Sequence, residues 1–462
     1  MVNLNSQNPP KEAQSPKSLI EHGFDAQNPP SPDLLKACIH CGFCLSTCPS
    51  YRVLGKETDS PRGRIYLMNG ITNGEIPLNS TTAAHFDTCL GCLACVTACP
   101  SGVEYGQLIT AMRPQINRQE PRIESRTRLE KVLRSVIFAT FPYRDRLRIL
   151  LAPLWLYQKS GLQQLVRSTG MLKVLLPKQL LAMEEILPPI TQASFVDSLP
   201  ALIPAQGPKR YRVGMILGCV QRMFLPMVND ATVRVLTANG CEVVIPKSQG
   251  CCGALSHHQG QETQTADLAR QMIDDFADQG LDFVIINASG CGHSLKEYPH
   301  ILQDDPKYAA KAKEFATKVK DVQEFLDLVG LTAELFPISD RPLKIAYQDA
   351  CHMLHGQKIS LQPRRLLRQI PQVQLSEPID AALCCGSAGI YNLLQPEIGD
   401  ELGKQKVENL TNTGADLIAS ANVGCTLQIR KHLGKEIGQK QIPVYHPMEL
   451  LDLSIRAEKL PS

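Results

Sequence analysis

Eight cysteines between Cys38 and Cys99 fall into two copies of one spacing, and they narrow what the chain can fold around more than any other feature. The first copy reads Cys38-Ile-His-Cys41-Gly-Phe-Cys44-Leu-Ser-Thr-Cys48-Pro49, the second Cys89-Leu-Gly-Cys92-Leu-Ala-Cys95-Val-Thr-Ala-Cys99-Pro100. In each copy three cysteines two residues apart can wrap one face of an iron-sulfur cube. The fourth, three residues further on and followed by proline, turns away from it. Zinc sites usually come as separated CxxC pairs rather than as four cysteines packed so tightly. Eight buried structural thiols would not need this spacing.

In two-cluster ferredoxins the fourth thiolate of each motif ligates the other cluster. That pattern assigns Cys38, Cys41, Cys44 and Cys99 to one [4Fe-4S] cluster, and Cys89, Cys92, Cys95 and Cys48 to its partner. Forty residues separate Cys48 from Cys89, and they include a predicted helix over about 62–69. A compact bacterial ferredoxin has less room between its motifs, so the arrangement resembles the helical ferredoxin modules of respiratory complexes.

A chain of 462 residues with 43% hydrophobic content has material for two to four domains with real cores. No charged-apolar-small-residue signal opens it. Seventeen cysteines, most in metal-binding patterns, fit a reducing cytoplasm better than a disulfide scaffold. A net charge of +3 gives no case for nucleic acid. Residues 1–32, rich in proline, asparagine and serine, read as a mobile arm. The cluster domain is expected over 33–118, a basic helical segment over 119–187, a proline-rich linker over 188–208, and two cysteine-bearing domains over 209–335 and 336–462.

The basic segment is the least ordinary of these. Between Arg122 and Glu185 there are twelve Lys or Arg against five Asp or Glu. Leu129, Val132, Leu133, Val136 and Ile137 recur along one face of a helix, which Pro142 should end. Residues 149–157 form an apolar run with the only tryptophan, Trp155. Interrupted by Pro153, it is too short to cross a bilayer. It suits either a membrane interface or, the reading preferred here, a helical layer covering the cluster domain with its arginines in solvent.

Beyond the linker the cysteines repeat. Cys219, the pair Cys251 and Cys252, and Cys291 recur as Cys351, the pair Cys384 and Cys385, and Cys425, at offsets of 132 to 134 residues. Short apolar strands precede Cys219, Cys291, Cys351 and Cys425 and alternate with helical stretches, which argues for parallel sheets covered on both faces. Sites in such sheets gather beyond the carboxyl ends of the strands, so each set of four can meet at one rim. Four thiolates alone do not choose between a cluster, zinc, and unmetallated redox or packing thiols. Cys241 stands outside both sets and reads as a buried free thiol. His257, His258, His293, His352 and His355 lie near these cysteines as candidate ligands, proton donors or packed residues.

The repeated Cys-Cys-Gly resembles the CCG domain of heterodisulfide reductases and of iron-sulfur electron-transfer subunits. It departs from that pattern, which closes with Cys-x-x-Cys: Cys291 is followed by Gly292, His293 and Ser294, and Cys425 by Thr426, Leu427 and Gln428. Three further stretches complete a resemblance over about residues 33–450: the Asp59 to Ile65 run, Asp349 to His352 followed by His355 to Gln357, and Cys384 to Asn392. Together with both cysteine sets they resemble the glycolate oxidase (glycolate dehydrogenase) iron-sulfur subunit family. That resemblance implies two [4Fe-4S] clusters, a flavoprotein (FAD) partner that oxidises the 2-hydroxy acid, and a quinone-type membrane acceptor. It implies no catalytic residues here, and a cytoplasmic protein or one peripheral on the cytoplasmic face of a membrane. The alternatives are a heterodisulfide or thiol reductase acting at the CCG cysteines, or the iron-sulfur subunit of a lactate or glycerol 3-phosphate dehydrogenase. The expected fold is multidomain: an α-helical ferredoxin-like domain, a helical middle segment, then duplicated α/β CCG domains with parallel sheets.

Overall fold

The computed structural model describes residues 23–434 and 442–461. Most of the expected mobile arm, residues 1–22, lies outside them. Residues 23–31 are held: Asp25 accepts hydrogen bonds from Arg118 Nε (2.8 Å) and Gln115 Nε2 (2.9 Å), so a carboxylate pairing anchors what composition alone reads as loose.

The cysteine-rich domain is helical. Helix α1 (Pro61–Thr72) starts where Ser60 accepts a hydrogen bond from the Gly63 amide, with Pro61 in the first turn. It outruns the helix predicted over 62–69. A Cβ on Gly63 would lie 1.9 Å from the Glu57 carbonyl oxygen, so only glycine permits this close turn. Helix α2 (Tyr105–Ile123) lays Leu108, Ile109, Met112 and Ile116 against Ile65, Met68 and Phe86 of the first half of the domain, closing its core.

The basic segment forms α3 (Arg128–Thr140), α4 (Arg144–Lys159) and α5 (Lys178–Ile186), with shorter helices between. Thr127 and Glu130 make a capping box that starts α3, and the helix ends two residues before Pro142. Pro153 is accommodated inside α4. The layer covers a different surface from the one expected. Ile137 and Phe138 of α3 pack on Ile390, Leu393 and Leu394, and Leu147 and Leu151 of α4 pack on Met223. These are residues of the carboxyl-terminal half, whose apolar side chains match the helical stripe; the cluster domain offers α3 and α4 no such surface in these cores. No helix among the described residues is long and apolar enough to cross a membrane.

The rest of the chain builds two sheets. The first contains β1 (Leu202–Ile203), β2 (Tyr211–Ile216), β3 (Cys241–Val244), β4 (Phe283–Ile286) and β5 (Val319–Asp321) in the order β1-β3-β2-β4-β5. All its pairs are parallel except β1 with β3. That antiparallel edge comes from within the stretch expected to be linker: between Pro200 and Pro204, two residues suffice to cap the open edge of β3. The second sheet contains β6 (Leu343–Gln348), β7 (Val373–Ser376), β8 (Leu417–Ser420) and β9 (Val444–Tyr445) in the order β7-β6-β8-β9, all parallel.

Helices of the two halves pack on each other. Helix α6 (Pro226–Ala238), which follows β2, packs on α9 (Pro447–Ile455) at the end of the second half; α7 (Val322–Val329), at the end of the first half, packs on α8 (Leu361–Leu367) of the second. Arg234 on α6 makes a two-pronged ion pair with the buried Asp452 on α9, at 2.8 and 2.7 Å. One apolar core accordingly runs through both sheets, from Val213 and Val235 to Tyr347 and Met448. Cys241 lies in that core with no exposure, as a packed thiol whose burial pushes its pKa up to about 12.

Candidate functional site

Within the helical domain the folded chain interleaves its two cysteine motifs. Cys38, Cys41, Cys44 and Cys99 surround one small cavity of about 30 Å³, which Cys95 also borders. Cys48, Cys89, Cys92 and Cys95 surround a second, of about 20 Å³. The first lies near the surface, with Cys41 exposed and Cys38, Cys44 and Cys99 half-buried; at the second, Cys48, Cys89 and Cys92 are buried. Backbone amides point at the sulfurs: Gly91 N–H donates to Cys89 Sγ (3.4 Å) and Val103 N–H to Cys99 Sγ (3.5 Å).

Two arginines dominate the electrostatics of the buried site. Arg64 is fully buried and donates from Nε to the His85 carbonyl (2.6 Å) and from Nη2 to Ser50 Oγ (3.0 Å) and Thr88 Oγ1 (2.8 Å). Arg113 donates to the Cys89 carbonyl (2.7 Å). Burial pushes the Cys89 thiol up, but Arg64 and Arg113 more than offset it and leave its pKa below the ordinary value. Arg64 belongs to the Asp59–Ile65 stretch singled out in the sequence, where it had no role. Arg113 carried no sequence signal.

The buried site abuts the second sheet. Leu90 and Cys92 share an apolar cluster with Cys384, Tyr391 and Leu402, with Cys351 at its edge. Three hydrogen bonds pin the contact: Tyr391 Oη donates to the Thr88 carbonyl (3.0 Å), His352 Nε2 meets the Gly91 carbonyl (2.9 Å), and His355 Nδ1 meets Thr97 Oγ1 (2.9 Å). His352 and His355 are thus joints between domains. His258 stacks on His352 at 4.5 Å between ring centroids, and His293 lies 5.1 Å from His352. His257 sits beside His258, at 5.8 Å.

Each later cysteine set is gathered in a row of sulfur contacts. Cys219 Sγ lies 3.2 Å from Cys251 Sγ, and Cys251, Cys252 and Cys291 continue the row. In the second half Cys351, Cys384, Cys385 and Cys425 do the same. As placed, among the described residues, no three such groups surround one point at metal-ligand distance. Contacts to Cys384 and Cys425 hold the Cys385 thiol well below its usual pKa against the effect of burial. Lys406, buried, with its Nζ on the Ala381 carbonyl (2.6 Å), adds a positive charge to that set. Its presence on a helix distant in sequence left nothing to read beforehand.

Both sets line a single cavity of about 400 Å³ that also meets the basic helical layer. Leu147, Leu150, Leu151 and Leu154 of α4 and Leu180 and Met183 of α5 form part of its wall. Periodicity identified the stripes but not the surface they would cover.

Family comparison decides what this assembly is. Residues 34–103 match the 4Fe-4S dicluster domain, residues 213–296 and 345–430 the cysteine-rich domain, and residues 129–187 the linker region of the glycolate oxidase iron-sulfur subunit. The "Probable glycolate oxidase iron-sulfur subunit" of Bacillus subtilis is 40% identical over 90% of this chain and 92% of its own. The chain belongs to the glycolate oxidase iron-sulfur subunit family. The "Glycolate oxidase iron-sulfur subunit" of Escherichia coli is 33% identical over 92% of this chain and 95% of its own. "Lactate utilization protein A" of B. subtilis is 30% identical and matches over 99% of its length, but spans only 52% of this chain. The helices that wall the cavity are therefore the segment that the family's own linker model describes. Where the CCG pattern closes with a last cysteine, this family member places Ser294 and Gln428. Both are buried; Gln428 holds Asn392 (2.8 Å) and the Gly399 carbonyl (2.8 Å), while Ser294 Oγ has no partner among the described residues.

Proposed function

We propose that this chain is the electron-transfer subunit of a flavin-dependent 2-hydroxy acid dehydrogenase, with glycolate oxidised to glyoxylate on a separate FAD-bearing flavoprotein and a quinone-type compound as acceptor. The single observation that carries the reading is the contact of the buried cysteine site with the second sheet, where Cys92 packs beside Cys351 and Cys384. It joins the two cysteine systems through packed apolar side chains.

The residues fit the implied groups by donor chemistry. Four soft sulfurs around each small cavity, with amides aimed at them, suit a [4Fe-4S] cluster. Cys38, Cys41, Cys44 and Cys99 would hold one, and Cys48, Cys89, Cys92 and Cys95 the other. Bound there, the clusters supply one-electron redox chemistry. Cys219, Cys251, Cys252 and Cys291, and Cys351, Cys384, Cys385 and Cys425, are two further four-thiolate sets for a cluster or zinc. Ser294 and Gln428 replace the closing cysteines, which weighs against a heterodisulfide reductase. Equal strand order in β3-β2-β4-β5 and β7-β6-β8-β9, with matched cysteine offsets, supports reading the two halves as a duplication.

Around the first site Ile39, Phe43 and Tyr66 are each more than 60% exposed beside the exposed Cys41. Such a patch at a redox site suits docking of the flavoprotein. At the other site Leu90, Tyr391 and Leu402 exclude water, and Arg64 and Arg113 fix the charge. Association with a membrane through the basic helices, and a cytoplasmic location, belong to the same reading.

The test is reconstitution. The anaerobically purified chain should oxidise no glycolate with an artificial acceptor, and adding the flavoprotein with glycolate should reduce its clusters, followed by low-temperature EPR. Turnover by the flavin-free chain alone sinks the proposal.

A further inference from the structure

The cavity of about 400 Å³ has more wall than two cysteine sets require. Its sulfur-lined part is made by Cys219, Cys251, Cys252 and Cys291 and by their counterparts in the second half. Much of the rest is aliphatic, supplied by α4 and α5. Beyond the cysteines its lining fits small-ligand sites, which are mostly apolar with a few polar groups that orient the ligand. One such group is present: His258 lines the cavity, and its buried Nε2 has no hydrogen-bond partner among the described residues. A buried ring nitrogen without a partner is costly unless a ligand satisfies it.

Helix α4 adds a second, independent observation. Its inner stripe, Leu147, Leu150, Leu151 and Leu154, faces the cavity. On its outer face Ile149 is 75% exposed and Leu156 61%. Leu165 on the short helix that follows (Leu162–Ser168) is 61% exposed, and Val174 on the next one (Met171–Leu175) 85%. Exposed Arg146 and Lys159 lie on the same stretch. A helix apolar on two faces, with cations on its outer surface, suits the headgroup boundary of an anionic bilayer. The wall of the cavity is then also the part of the protein nearest lipid.

We propose that this cavity is the binding site of a lipid-soluble quinone that enters from the bilayer beside α4, its ring against the cysteine-lined side with one oxygen on His258 Nε2 and its tail along the leucines. The inference rests on the electron-transfer reading and assigns its acceptor a place. An acceptor at this position must be apolar enough for the leucine wall, carry a polar oxygen for His258, and accept electrons where the cysteine sets lie. Overall, the 2-hydroxy acid loses two electrons and two protons to become the 2-oxo acid, and the quinone takes up two electrons and two protons to become the quinol. The flavoprotein supplies the electrons.

The experiment uses the full chain, cluster-loaded and anaerobic, with decylubiquinone as probe, delivered in vesicles of phosphatidylcholine and phosphatidylglycerol. Binding is read by calorimetry and by the emission of Trp155, the only tryptophan, which shares an apolar cluster with Leu147 and Leu151. One equivalent should bind saturably and quench the emission. The cavity-filling triple variant Leu150→Phe, Leu154→Phe, Met183→Phe should bind at least tenfold more weakly, with circular dichroism and iron content unchanged. Should the triple variant fold poorly, Leu154→Arg should give the same loss. Unchanged affinity in the folded variants overturns the assignment. So does absence of binding by a chain whose clusters the flavoprotein still reduces, a result that leaves the electron-transfer reading standing. Failure of that reduction condemns the parent reading instead.

Discussion

Arg64 illustrates what a single residue contributes once it is folded. Its guanidinium is buried beside Cys48 and Cys89 and fully engaged by Ser50, Thr88 and the His85 carbonyl. A fixed positive charge there favours the more negative, reduced state of whatever those thiolates hold. Asp59, buried 3.8 Å from Arg64, offsets part of that charge, so the effect is on the order of one tenfold step, about 59 mV for a one-electron couple. Arg64→Met should therefore lower the midpoint potential of the buried site by that order in an anaerobic EPR titration, with the exposed site little changed. Cys48→Ser tests the interleaved ligand sets: signals from the site of Cys89, Cys92 and Cys95 should be disturbed, and loss confined to the site of Cys38, Cys41 and Cys44 would refute the crossing. The gathering of the first eight cysteines around two small cavities was legible in the sequence because it follows from local spacing. Arg64 was not, since its partners come from two separate segments, at Ser50 and at His85 to Thr88, that meet it only in the fold.

Among elements, α4 and the start of α7 carry most of the consequences. Periodicity and charge announced an amphipathic basic region, but a stripe does not say what it will cover, and the structure lays it over the carboxyl-terminal half. At the start of α7, Asp321 accepts from the Gln323 amide (2.8 Å) while its Oδ2 is buried without a partner among the described residues. Burial raises its pKa from the ordinary 3.8 to about 7. The folded state thus holds a proton that the unfolded chain releases near pH 4. Stability from this group is complete at low pH, falls as pH climbs from about 4, and is lost above about 7. Asp321→Asn keeps a side-chain oxygen for the cap and abolishes the titration. Its thermal midpoint relative to the parent chain should rise steadily between pH 5 and pH 8; a constant difference would show that Asp321 is already ionised in the fold.

For the whole molecule, the two sheets form one structural unit. Sequence offsets revealed the repeat, yet they could not reveal that α6 packs on α9 and α7 on α8, because an apolar helix face does not say which half it will meet. Asp452→Ala removes the two-pronged partner of Arg234 across that junction. Hydrogen bonds to charged groups put the cost at about 1.5–3 kcal/mol. Calorimetry should show one cooperative transition, shifted downward, for both sheets together; two separated transitions would mean the halves unfold independently. The same whole-molecule view bears on the exposed loop around Cys41. A site open enough for a protein donor to approach is also open to dioxygen, and thiolate oxidation follows accessibility. In air, then, corrosion should begin at Cys38, Cys41, Cys44 and Cys99 and reach the interior last. A briefly aerated sample should have lost its front door while the rest of the house still stands.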